Sequence, residues 1–283
     1  MCIRDRFYNG DILLLYAVVG FALIPVCKLK DKTVFWIALI LLLQPYEWGR
    51  AIYAMINPDY VVATGHYMPY AIRAQEVTAN GNFFEVLCSN ISDGQLYSNI
   101  WQVENGRLFQ TAALFMFGML LGRRKYLIKS EESVRFWKKM LKGAVLAFIP
   151  LYCLKTFVPD LLTNPSVQIP YKIAVPSYAN FAFMIILVSI FTLLWFKKEK
   201  GYGWQSLLIP YGRMSLTNYI SQSIMGVIIY YGFGLAMYKY AGATASLLIA
   251  LLIFTVQLIF SRWWLARHKQ GPLEFLWRKG TWI

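Results

Sequence analysis

The chain has few of the side chains on which enzymes most often depend. Of its 283 residues only 15% are charged, four are cysteines and two are histidines. It contains no C-x-x-C pair, no Ser-His-Asp order, no phosphate-binding glycine loop and no dinucleotide fingerprint. These absences argue against the common metal-dependent and nucleotide-dependent soluble enzymes, and we expect no metal site.

Apolar side chains are abundant instead. Hydrophobic residues make up 58% of the chain and aromatic residues 17%, and the mean hydropathy is +0.46. This composition is too apolar for a soluble domain of this length and indicates an integral membrane protein. The net charge of +14 lies in short clusters between apolar runs. Anionic lipid head groups are therefore the expected partners, and nucleic acid is not.

Seven apolar runs have a length suited to crossing a bilayer as helices. They cover residues 11–27, 33–49, 108–122, 140–158, 177–196, 210–233 and 243–264. Basic residues dominate alternate connecting segments, which the positive-inside rule places in the cytoplasm. These basic segments are 28–32, 123–142, 197–200 and 262–279. We predict an all-α, polytopic transmembrane bundle of the bacterial inner membrane, with its N-terminus outside and its C-terminus cytoplasmic.

The domain organisation is simple. Residues 1–6, M-C-I-R-D-R, look like an artefact leader, and residues 7–283 are predicted to form a single membrane domain that could form a homo-oligomer. Residues 50–107 form the one long link, which is rich in aromatics. We expect it to form short amphipathic helices on the outer face.

The stretch from 209 to 235 is long enough to cross a membrane but contains several polar side chains. They are Arg213, Thr217, Asn218, Ser221 and Gln222. Such residues at membrane depth are costly without partners, so one interpretation is a binding site. The other is that the amides bond neighbouring helices and the arginine extends to the surface. Gln257, in the middle of the last apolar run, is a candidate partner for this polar face.

Two further candidates lie outside this stretch. His66 is a weak candidate general base, because the same region contains several carboxylates with which it could pair. Those carboxylates are Glu47, Asp59, Glu76 and Glu85. Near the C-terminus, Glu274 could reach Arg213, since the predicted topology places both near the inner side of the membrane.

Several motifs resemble one known family. The segments P-Y-G-R-M-S-L-T-N-Y-I-S-Q-S and G-P-L-E-F-L-W-R are similar to the C-terminal region, here 205–283, of the bacterial YeiB-like membrane proteins, domain of unknown function 418. The resemblance implies that N-terminal helices of the family are missing here. The family is in turn distantly similar to membrane acyltransferases that use acetyl-CoA. The resemblance assigns no catalytic residue to this chain. The family-typical positions of unknown role are Arg213, Asn218, Gln222, Gly271, Pro272 and Glu274.

Three functional hypotheses follow. In the first, Arg213 and the basic inner rim bind the phosphates of acyl-CoA, and an acyl group passes to an external acceptor. In the second, Arg213, Asn218, Gln222 and Gln257 line a path for a small anionic solute. In the third, the protein is structural, and its polar side chains serve only to pack helices.

Overall fold

The computed structural model describes residues 13–57, 59–197 and 203–281, and every regular element within these ranges is helical. Three sequence interpretations fall outside them: the leader at 1–6, Asp11 at the start of the first run, and Lys198 and Lys200 of one basic segment.

Thirteen α-helices of seven residues or more are found in the described part of the chain. They are α1 Leu13–Val26, α2 Asp31–Leu42, α3 Pro45–Ile56, α4 Met68–Asn80, α5 Phe83–Ser89, α6 Gln95–Glu104, α7 Arg107–Arg123, α8 Glu131–Phe157, α9 Pro165–Lys197, α10 Trp204–Arg213, α11 Ser215–Tyr230, α12 Ala243–Leu265 and α13 Pro272–Thr281. A single π-helical turn, Asn90–Gly94, joins α5 to α6.

The helices form two compact units, which we describe separately. Among the described residues, those within Ile12–His66 and Asn99–Lys198 form the central unit, and those within Tyr67–Ser98 and Glu199–Ile283 form the C-terminal unit. In the central unit α8 packs along α9, α2 along α7 and α3 along α9. Small side chains let the last pair approach closely, because Ala51 and Ala54 are fully buried against Val167. In the C-terminal unit α10 packs on α12 and α11 on α13.

Three helical segments of the described chain are long and apolar enough to cross a membrane. They are Glu131–Leu161, Pro165–Lys197 and Ala243–Leu265, and the apolar segment Leu14–Val26 is shorter. Few of their side chains are buried within the protein, which is typical of helices that face lipid. These segments contain the predicted runs 140–158, 177–196 and 243–264. The other four predicted crossings and the orientation of the termini stay predictions.

The predicted run 33–49 is not one helix. It divides between α2 and α3 at Gln44, whose φ of 54° is left-handed. Pro45 explains the break, since proline disfavours the helical conformation in the residue before it and then suits the first turn of a new helix. The Gln44 amide nitrogen donates to Gly106 O at 2.9 Å, so the turn is fixed by a buried contact.

The predicted run 210–233 also divides, at Met214, into α10 and α11. The break is stabilised from both sides. Asn218 Nδ2 donates to Tyr211 O near the end of α10 at 3.1 Å, and a carboxylate of α13 binds the first amides of α11. The prediction of a single helix over 210–233 is therefore wrong, because the amides of Leu216 and Thr217 bond a side chain and not the carbonyls of the preceding turn.

Two predicted connections are largely helical. Helix α8 begins at Glu131, where Ser130 Oγ accepts from Ser133 N at 3.0 Å, so much of the basic segment 123–142 lies on a helix. Helix α9 begins at Pro165, twelve residues before the predicted start of its apolar run. Asn164 Oδ1 accepts from Ser166 N at 2.8 Å at this end. Capping side chains thus extend both helices beyond their apolar segments.

Candidate functional site

The N-terminus of α11 is capped by a side chain distant in sequence. Glu274 Oε1 on α13 accepts from Leu216 N at 2.8 Å and from Thr217 N at 3.1 Å. Its Oε2 accepts from Thr217 Oγ1 at 2.5 Å. Helix N-termini have unpaired N–H groups and a partial positive charge, so a carboxylate is well suited to this position. The cap fixes α13 against α11.

A glycine makes room for this cap. A Cβ atom on Gly271 would collide with Glu274 Oε2 and lie 3.0 Å from Thr217 Oγ1. The next residue, Pro272, begins α13, and Leu273 N donates to Thr217 Oγ1 at 3.2 Å. Gly271, Pro272 and Glu274 therefore have related structural roles at this corner.

Arg213 lies in the last turn of α10 and is exposed. Its Nη2 donates to Lys269 O at 2.7 Å. The suggested contact between Arg213 and Glu274 is not formed. The Glu274 carboxylate bonds the α11 amides, and the Arg213 guanidinium bonds the backbone carbonyl of Lys269. Arg213 is thus at a helix break next to the turn that precedes α13, and it is not within a continuous apolar helix.

A cavity of about 720 Å³ opens beside this corner. It is lined by Arg213, Leu216, Lys269, Gln270, Glu274, Trp277, Arg278 and Thr281. Arg278 Nη1 donates to Gln270 Oε1 at 3.3 Å, which orients its guanidinium. Three cationic side chains and one carboxylate surround the space, and the carboxylate is already bonded to α11. The cavity therefore favours an anionic ligand, and arginines in particular suit phosphate oxygens.

A second group of polar side chains is buried where α10, α11 and α12 meet. Asn218, Gln257 and Ser261 are each at most 3% exposed. Asn218 Nδ2 donates to Ser261 Oγ at 3.0 Å, and Gln257 Nε2 donates to Asn218 O at 2.8 Å. Ser221 and Tyr211 complete the network, through bonds of 2.9 Å and 3.3 Å to the Gln257 amide. These contacts match the interpretation that the amides bond neighbouring helices.

Not every polar residue of the predicted face belongs to that network. Gln222 is exposed, whereas the apolar residues Ile220 and Val227 of the same helix are buried. The buried stripe of α11 therefore includes apolar and polar positions together. Thr217, Asn218 and Ser221 face protein, and Gln222 is separate from them.

His66 in the central unit does pair with a carboxylate. Its Nδ1 lies 2.6 Å from Glu104 Oε1, near the end of α6. None of the four suggested partners makes this contact. Glu47 pairs with Arg50 at 3.2 Å, and Glu85 caps α5 through its contact with Asn82.

Comparison with known proteins decides the family. A family model described as "Protein of unknown function (DUF418)" matches residues 121–283, more than half of the chain. The chain belongs to the DUF418 family. The YeiB-like resemblance inferred from the motifs is confirmed.

Three relatives of this DUF418 chain are uncharacterized proteins. YxaH of Bacillus subtilis (strain 168) is 26% identical over 98% of this chain and 67% of its own length. A 39.9 kDa protein in the amylase 3' region of Bacillus acidopullulyticus is 45% identical over 27% of this chain and 21% of its own. YeiB of Escherichia coli (strain K12) is 36% identical over 25% of this chain and 18% of its own. No solved structure matches.

The DUF418 match includes every residue of the cavity and of the buried network, while His66 and Glu104 precede it. Sequence reasoning identified Arg213, Asn218, Gln257 and Glu274 but missed Ser261 and Tyr211 as partners. Ser261 follows Gln257 by four residues on α12, so both are on one face of that helix, and this spacing was a usable signal. Tyr211 gave no such signal.

Proposed function

We propose that the protein is a multi-pass bacterial inner-membrane protein that transfers an acyl group from cytoplasmic acyl-CoA to an external acceptor. The cavity beside α11 and α13 holds the phosphates of the donor. Arg213, Lys269 and Arg278 supply the positive charge. The positive-inside rule places this basic C-terminal region in the cytoplasm, where acyl-CoA is available.

The observation that carries the proposal is the charge state of the cavity wall. Three cationic side chains line about 720 Å³, and the single lining carboxylate binds the α11 N-terminus. The local charge is therefore positive by about two units, with two guanidinium groups able to bind phosphate oxygens in pairs. The volume lies within the range of small-molecule sites. Trp277 adds an exposed apolar surface at the same wall.

The testing experiment is calorimetric titration of acetyl-CoA into the purified chain in detergent. We expect saturable binding that weakens about tenfold in Arg213→Ala and in Arg278→Ala, as for loss of a charged hydrogen bond of about 1.5 kcal/mol. Arg135→Ala is the matched control. It removes the same charge from an exposed position on α8 in the central unit, and its affinity should equal that of the unchanged chain.

Two outcomes would count against the donor site. Absence of binding by the unchanged chain would overturn it directly. If all three arginine variants weakened acetyl-CoA binding equally, the affinity would depend only on the overall charge of the protein. In either case the third hypothesis, a structural membrane protein, would explain the C-terminal unit better.

The transport hypothesis receives less support from the contacts. It needs Asn218 and Gln257 to line a wet path, but both are buried and bonded to each other and to Ser261 or Ser221. Satisfied amides between helices serve packing. A path for a small anion would have to run through the cavity by α13 and not through this network.

A further inference from the structure

Glu104 holds the residues around His66 by three hydrogen bonds. Its Oε1 accepts from His66 N at 3.1 Å and contacts His66 Nδ1 at 2.6 Å, and its Oε2 accepts from Gly65 N at 3.1 Å. One carboxylate thus fixes both the backbone and the imidazole ring of the same residue. A simple surface ion pair would leave the backbone uninvolved.

Two further contacts anchor the residues just before His66. Val62 N donates to Ser166 Oγ at 3.2 Å, and Arg50 Nη2 donates to Ala63 O at 3.3 Å. Residues 62–66 lack regular helical hydrogen bonds, yet α3, α6 and α9 each hold them by one side chain. The position of the ring is therefore set by several elements of the central unit, and little ordering is left to occur when a ligand binds.

The carboxylate also defines the chemistry of the ring. An ionised carboxylate only accepts hydrogen bonds, so Nδ1 carries the proton in the neutral imidazole and Nε2 carries the lone pair. The His66 side chain is 64% exposed, whereas that of Glu104 is 16% exposed. A proton acceptor oriented by a more buried carboxylate and open to solvent is the arrangement of a general base with its positioning group.

The other histidine of the chain is arranged differently. His268 stacks on Trp264, with ring centroids 4.1 Å apart, and its Nδ1 lies 3.2 Å from the backbone oxygen of Trp264. Its partner is thus a neutral backbone carbonyl, whereas the partner of His66 is a carboxylate. His268 is therefore the natural reference for the reactivity of an exposed histidine in this protein.

We propose that His66 is a general base that activates a hydroxyl nucleophile for acyl transfer, with Glu104 as its positioning residue. This inference deepens the proposed function and rests on it for the acyl chemistry. It also says what the acceptor must provide: a hydroxyl group, as in a sugar or another alcohol. The sequence-based topology places residues 50–107 outside, the side on which an external acceptor would be met.

The proposed reaction accounts for every proton and every electron pair. His66 Nε2 takes the proton of the hydroxyl as its oxygen forms a bond to the acyl carbon. The bond from that carbon to the leaving group breaks, and the leaving group departs with the electron pair. The imidazolium then returns its proton to the leaving group or to water.

The test uses p-nitrophenyl acetate as the acyl donor and water as the hydroxyl nucleophile, with the full chain in detergent. This ester does not need the CoA cavity. We expect His66→Ala to lower the protein-dependent rate of nitrophenolate release about 10²-fold, the lower end of what a positioned base contributes. His66→Gln retains an N–H donor for Glu104 but no base, so it should lose activity equally with an unchanged melting temperature. His268→Ala should retain the full rate.

Glu104 is tested by the steady-state kinetics of the same reaction. Glu104→Ala should lower kcat with little change in KM, because the imidazole ring loses its orientation while the ester still reaches it. Glu104→Gln keeps an acceptor oxygen for the ring N–H and should restore part of kcat. A merely structural Glu104 would leave kcat per folded protein unchanged.

Acetyl-CoA titration of the same preparations separates the two proposals. Rates that depend on His66 support the general base even where acetyl-CoA does not bind, and then only the donor proposal fails. A rate in His66→Gln equal to that of the unchanged chain, or equal losses in His66→Ala and His268→Ala, would overturn the inference whatever the CoA result.

Discussion

Glu274 in the C-terminal unit and Glu104 in the central unit are anchored in nearly the same way. Each carboxylate accepts from two consecutive backbone amides, Leu216 and Thr217 for Glu274 and Gly65 and His66 for Glu104. Each also binds one side chain of the second residue, at 2.5 Å for Thr217 Oγ1 and 2.6 Å for His66 Nδ1.

The difference between the two lies in the side-chain donor. Thr217 is 6% exposed, and its hydroxyl also accepts from Leu273 N, so its capacity is used within the protein. His66 has a second ring nitrogen and a side chain that is 64% exposed. The same anchoring motif therefore ends in a structural cap in one unit and in an exposed imidazole in the other.

Removal of the two carboxylates should have unequal effects on stability, and this gives the largest expected change. Glu274→Ala leaves the first amides of a partly buried helix start without an acceptor, so we expect a loss of about 2 kcal/mol. Glu104→Ala should cost about 1 kcal/mol, because the exposed segment at Gly65 and His66 can turn to water. Thermal unfolding in detergent measures the loss of stability in both variants. A larger loss in Glu104→Ala than in Glu274→Ala would contradict this distinction between the two carboxylates.

Gly271→Ala should imitate the loss of the Glu274 cap without changing the carboxylate. The added Cβ collides with Glu274 Oε2, so the side chain must move away from Thr217. We expect a loss of about 1 to 2 kcal/mol in the unchanged chain and a much smaller loss in a Glu274→Ala background. Melting temperatures of the two single variants and the double variant test this, and strictly additive losses would contradict it.

We expect the smallest effect on stability at Asp93. In the described part of the chain this carboxylate bonds a side chain and no backbone amide. It accepts from Arg73 Nε at 3.1 Å and Nη2 at 2.8 Å. The hydrogen bond to Arg73 holds the pKa of Asp93 below its ordinary value of 3.8. The resulting stability is present above that ordinary pKa and is lost as pH falls through the lower folded value.

Melting temperatures measured from pH 6 down to about pH 2 check this contribution. Asp93→Asn should flatten the fall of the melting temperature below about pH 4 and leave values near pH 6 almost unchanged, because the pair is exposed. Added salt should reduce the difference further. A variant that melts well below the unchanged chain near neutral pH would show that Asp93 has a role beyond this pair.

The parts of this account that sequence predicted are those with local physical causes. Long apolar runs predicted α12 and most of α8 and α9. For the polar residues of 209–235, helix packing was one of two interpretations, and Gln257 was a candidate partner. The break at Gln44 also has a local signal in Pro45, which the apolar pattern obscured. The early start of α8 had a further local signal in Ser130, a common capping residue.

The remaining contacts depend on residues that the chain brings together from a distance. Glu274 caps Thr217 across 57 residues, and Glu104 meets His66 across 38. Neither separation leaves a periodic pattern in the sequence. We therefore predicted that a carboxylate could pair with His66, but none of the four residues that we suggested is the partner. The break at Met214 has the same origin, because the α11 amides are satisfied by a helix that follows much later.

The central claim is that Arg213 binds a phosphate of the acyl donor, and one equilibrium measurement tests it most directly. CoA and dephospho-CoA, which lacks one phosphate, are titrated into the unchanged chain and into Arg213→Ala. If that phosphate meets Arg213, the unchanged chain prefers CoA by about tenfold and the variant loses that preference. Equal affinity of the two proteins for CoA, or binding of neither compound, would contradict the claim.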